Sequence, residues 1–163
     1  MSAIKVPAHA WIVPGSLAIA ERPGGGGRSH RVARRNAEMA WWHEQGVRTI
    51  VSAMRSHHAL TEYARLGYGT RWFPLKDAVQ ARGEIPQLAD EVAQLIACEP
   101  GAVLVHCDRV SEWLAAIDAA IRLRLGLAAD VGAAFEQAGA DGMPVGDLAR
   151  ELLDPWSVLP PAA

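Results

Sequence analysis

The chain is poor in cysteine, with two in 163 residues, Cys98 and Cys107. That number cannot build a disulfide framework, and it leads us to expect a reducing, cytoplasmic setting. Cys98, near the end of an expected helix, reads as an inert thiol. No apolar run approaches the length of a membrane span. The N-terminal stretch MSAIKVPAHAWIVPG has no basic segment followed by a long apolar core, so no signal peptide is expected. Charge of one sign is also lacking: the net charge is −2, which gives no reason to expect nucleic acid or an anionic membrane as a partner. A nucleotide-binding fingerprint is missing too, because the glycine run at 24–27 has no Lys-Ser/Thr sequel.

What remains is a composition half apolar and about one-fifth charged, expected for a single globular domain spanning 1–163. Strands are expected at 10–13, 17–20, 47–53, 70–75 and about 102–105. Helices are expected at 33–45, 60–66, from Pro86 to about 98, at about 112–125, and at 129–138 and 145–153. In the first of these helices Ala37, Met39, Ala40 and Trp41 are expected to face the core. Strands alternating with helices predict an α/β fold, a mainly parallel central sheet flanked by helices. Residues 22–31 carry four consecutive glycines, expected not to pack and to leave a flexible loop. The proline-rich tail, 154–163, is expected on the surface.

The segment AVLVHCDRVSEWLAAIDAAI, 102–121, concentrates the chemistry. An apolar strand ends at His106-Cys107, and a helical pattern (Leu114, Ile117, Ile121) begins within a few residues. A cysteine at such a strand–loop–helix junction sits where backbone N–H groups and a helix dipole favour negative charge. That placement predicts a lowered thiol pKa and a nucleophilic Cys107. Ser111 is placed as a helix N-cap. Asp108 and Glu112 add negative charge beside Cys107, while Arg109 adds a positive one. His57-His58 read as loop residues rather than metal ligands, and neither a metal nor a cofactor is expected.

This segment resembles the signature of the protein tyrosine and dual-specificity phosphatases, His-Cys-x-x-Gly-x-x-Arg between a strand and a helix. His106 and Cys107 match it. Val110 stands at the glycine position and Trp113 at the arginine position. The resemblance extends through WIVPGSLAIAERPG, similar to the family's opening hairpin, EQGVRTIVSA, similar to the step into its central sheet, and FPLKDAV, similar to the segment with its general-acid aspartate. It implies a dual-specificity-phosphatase-like domain with Cys107 as nucleophile, Asp77 as general acid and His106 ordering the loop.

It also implies a defect. In the family the arginine forks onto two phosphate oxygens, and an indole with one N–H and no charge cannot do so. By analogy with arginine fingers the loss costs on the order of 10³–10⁵ in rate. A β-branched residue at position 110 resists the backbone freedom of glycine. Residues 106–113 are thus expected to line a modified pocket whose wall suits a neutral or aromatic ligand.

Three functions follow. The first is a pseudophosphatase that binds a protein or small-molecule ligand. The second is a cysteine-dependent enzyme using Cys107 and Asp77 on a non-phosphate substrate. The third is an atypical phosphatase, acting through a phosphocysteine, with Arg109 or an arginine from 22–35 replacing the missing one.

Overall fold

A computed structural model describes residues 6–154; the expected surface tail falls, from 155 onward, outside the described residues. The elements run β1 (His9–Val13), β2 (Leu17–Glu21), α1 (Val32–Glu44), β3 (Val47–Ser52), α2 (His58–Arg65), β4 (Gly69–Trp72), α3 (Ala78–Cys98), β5 (Ala102–Cys107), α4 (Glu112–Arg124), α5 (Val131–Ala140) and α6 (Asp147–Leu152). One five-stranded sheet has the order β1-β2-β5-β3-β4. Only β1 pairs antiparallel, with β2; the other pairings are parallel. Among the described residues no helix is long and apolar enough to cross a membrane.

β5 is the central strand, and all six of its residues are buried, as a parallel strand covered on both faces requires. Side chains alternate across a strand, so Val103, Val105 and Cys107 face one core, built with α3–α6. Ala102 and Leu104 face the other, built with α1 and α2 around Met39, Trp42 and Tyr63. The same alternation sends His106 and Cys107 to opposite sides.

Three expectations are corrected. α3 begins at Ala78, eight residues before Pro86. A proline inside a helix removes one hydrogen bond and costs about 3 kcal/mol. Here Ala81, Ile85, Leu88, Ala89, Val92 and Leu95 form one buried stripe that runs past Pro86, and burying it outweighs that loss.

Second, β4 ends at Trp72 rather than residue 75, because Pro74 has no N–H to continue the ladder. Phe73 and Leu75 nevertheless still donate backbone bonds to Ser52 and Ala53.

Third, α1 buries Arg35, Glu38, Met39 and Trp42, while Ala40 is exposed. The i, i+3, i+4, i+7 stripe is therefore half charged.

Those charges explain the glycine run, where the structure differs again from expectation: Gly24, Gly25 and Gly26 are buried. The N–H of Gly24 donates to Glu38 Oε2 at 2.8 Å. A Cβ on Gly26 would lie 2.2 Å from the Asp108 carbonyl oxygen. Glycine is needed at 26 because two backbones meet there, one from the strap between β2 and α1 (residues 22–31) and one from the loop after β5.

Candidate functional site

Parallel strands point their carboxyl ends to one edge of the sheet, where such folds hold their ligands. At that edge lies a cavity of about 340 Å³. Ala53, after β3, and Leu75, after β4, join Cys107 and Trp113 in its wall, with Arg55, Lys76 and Arg109 also lining it. The three loop starts are tied together. The Ala53 N–H donates to the His106 carbonyl at 2.9 Å, and the Leu75 N–H to the Ala53 carbonyl at 3.3 Å.

Cys107 is 7% exposed. Burial pushes its thiol up to about 12, with the Asp108 carboxylate adding to the rise. This corrects the expectation of a lowered pKa. The loop and helix start are present, but the sulfur faces the apolar side of the sheet, and desolvation disfavours the charged form.

His106 is fully buried on the opposite face. Its Nδ1 lies 3.2 Å from the Cys107 carbonyl oxygen, which can only accept, so Nδ1 carries the proton. Nε2 then accepts from the Tyr63 hydroxyl, 3.2 Å away. Burial lowers the His106 pKa to about 4 and raises that of Tyr63 to about 12, so both are neutral and mutually satisfied.

The remaining loop residues turn in different directions. Asp108 Oδ1 accepts the Gly27 N–H at 3.1 Å and stands 3.9 Å from the Arg22 guanidinium. Arg109 Nε lies 3.5 Å from Asp108 Oδ2, which holds the guanidinium against a carboxylate. Val110 is part-buried against the core formed with α3–α6. Among the described residues no position other than glycine has a positive φ, so Val110 takes ordinary backbone geometry. Ser111 caps α4, its hydroxyl accepting the Leu114 N–H at 3.5 Å. Glu112 turns to α6, where its Oε1 accepts the Ala149 N–H at 3.4 Å.

Asp77 is exposed. Its Oδ1 caps α3, accepting the Gln80 N–H at 2.9 Å. It directly follows Lys76, the last lining residue of that loop.

No protein-family model matches the chain, and no curated protein matches its sequence. Its backbone, however, superposes on the crystal structure of human DUSP28 with a TM-score of 0.67, at 15% identity over 96% of this chain and 97% of that one. A mouse putative dual specificity phosphatase complexed with zinc tungstate gives a TM-score of 0.69 at 16% identity, over 96% and 91%. Tk-PTP in the active form gives 0.69 at 13%, over 93% and 97%. The fold is that of the dual-specificity phosphatases.

Within this phosphatase fold, the cavity gathers Cys107, Asp108, Arg109, Ser111 and Trp113 of the expected residues. It adds Arg55 and Lys76, which the sequence reading missed. Their only local signal is a cation one or two residues past the buried end of a strand segment, and their convergence depends on the pairing of β4, β3 and β5.

Proposed function

We propose that this protein is a pseudophosphatase, a phosphatase-fold binding module that takes a protein or small-molecule ligand at the Cys107 pocket. One observation carries the reading. Trp113, at the position where the family's signature has its phosphate-gripping arginine, lines the cavity beside a cysteine whose thiol burial keeps protonated. A neutral thiol is a poor nucleophile, and an indole cannot neutralise a dianion. The high thiol pKa also weighs against a repurposed cysteine enzyme. The engagement of Arg109 with Asp108 weighs against its acting as a substitute clamp. The two free cysteines suit a reducing, cytoplasmic compartment.

The reading is tested by turnover of p-nitrophenyl phosphate in the parent and in Cys107→Ser. No difference is expected between them. Hydrolysis that disappears with the cysteine would overturn the proposal.

A further inference from the structure

The pocket repeats one arrangement three times. A buried residue stands at or just past the carboxyl end of each of the neighbouring strands β3, β4 and β5: Ala53, Leu75 and Cys107. An exposed cation follows one or two positions later: Arg55, Lys76 or Arg109. The floor is therefore neutral and mostly apolar, with Trp113 beside it, and the positive charge stands at the mouth.

The three cations are not equivalent. Arg109 lies against Asp108, so their charges cancel locally. Arg55 and Lys76 form no ion pair among the described residues. The only carboxylate in the wall, Asp108, is matched by Arg109 and Arg22, so the floor beside Cys107 offers an anion no free positive charge. An anion entering this cavity thus finds no free cation at the bottom and is attracted at the Arg55–Lys76 side of the opening.

The cavity also has more room than an oxyanion needs. An apolar cavity of about 150 Å³ holds one benzene, and this one measures about 340 Å³, at the lower end of small-molecule pockets. A ring with a short chain fits that volume.

We propose that the pocket binds a small aromatic carboxylic acid, its ring against Ala53, Leu75, Cys107 and Trp113 and its carboxylate at Arg55 and Lys76. This inference rests on the reading of the site as a binding pocket and reverses the polarity that reading replaces, since the charged end faces outward.

Binding of three probes by calorimetry tests it: 4-phenylbutanoate, its neutral counterpart 4-phenylbutanol, and inorganic phosphate. The carboxylate is expected to bind about fivefold more tightly than the alcohol, the scale of two exposed ion pairs. Phosphate is expected not to bind at comparable concentration. In Arg55→Gln/Lys76→Gln the carboxylate's advantage over the alcohol is expected to vanish. Both positions are exposed, so the variant is expected to fold, and added salt in the parent should erode the same advantage.

Phosphate binding as tightly as the carboxylate, an alcohol binding equally well, an unresponsive double variant, or no binding of the carboxylate at millimolar concentration would each overturn the inference. None of these results involves Cys107-dependent hydrolysis, which decides the pseudophosphatase reading separately.

Discussion

The two sides of the loop after β5 are built on opposite principles. On the strap side, charges are matched: Asp108 with Arg22, and both Glu21 and Glu38 with Arg34. Backbone N–H groups of Gly24 and Gly27 fill further carboxylate sites. On the cavity side, Arg55 and Lys76 stand exposed with no ion pair among the described residues. Charge that is paired within the fold holds the loop in place, whereas charge left open at a cavity mouth is available to a ligand. Substitutions on the strap side should therefore cost stability, and substitutions at the mouth should cost binding.

The largest stability loss is expected from Glu38→Ala. Its carboxylate is 1% exposed and serves both Arg34 Nε, at 2.5 Å, and the Gly24 N–H. Removing one partner of a buried pair costs about 3 kcal/mol, readable by urea unfolding.

His106 gives a pH signature of nearly the same size. Its folded pKa, about 4, lies below the ordinary value of 6.5 because the ring is buried. The native ring therefore stays unprotonated where the unfolded ring binds a proton. Stability present above pH 6.5 is lost as pH falls toward 4, by roughly 2–3 kcal/mol. Subtracting the pH profile of His106→Gln from that of the parent isolates this slope, since contributions common to both chains cancel.

Gly26→Ala tests the meeting of strap and loop, where the added methyl would overlap the Asp108 carbonyl. A loss of about 2 kcal/mol is expected, seen as a lower urea midpoint. The smallest effect belongs to the mouth. Arg55→Gln and Lys76→Gln should each leave stability within about 0.5 kcal/mol of the parent. A large loss there would erase the contrast between the two sides.

Much of this architecture was legible in the sequence. Alternating apolar strands and helices led to the parallel sheet, and the run at 102–107 marked its central strand. Period-two alternation could also have separated His106 from Cys107, yet the resemblance led His106 to be expected in the pocket wall, whereas it is buried on the opposite face of the sheet. What escaped depended on distant partners. The glycines at 24–26 read as unable to pack because their partners lie outside the run: Arg35 and Arg34 of α1 against Gly24 and Gly25, and Asp108, 82 residues beyond Gly26, against Gly26. The start of α3 was displaced because Pro86 resembles a helix opener, while the true cap, Asp77, resembled a catalytic acid. The thiol of Cys107 is pulled in two directions in the same way. Its strand–loop–helix position favours a thiolate, but burial against the apolar core and the Asp108 carboxylate push the thiol pKa up.

The central claim is that the pocket floor, with a protonated Cys107 and Trp113 in its wall, no longer seats a tetrahedral oxyanion. Crystals soaked in tungstate test it most directly. The account predicts no oxyanion above Cys107 Sγ in the parent, and one appearing in Trp113→Arg/Val110→Gly. Tungstate seated above the sulfur of the parent, held by another cation, would contradict it.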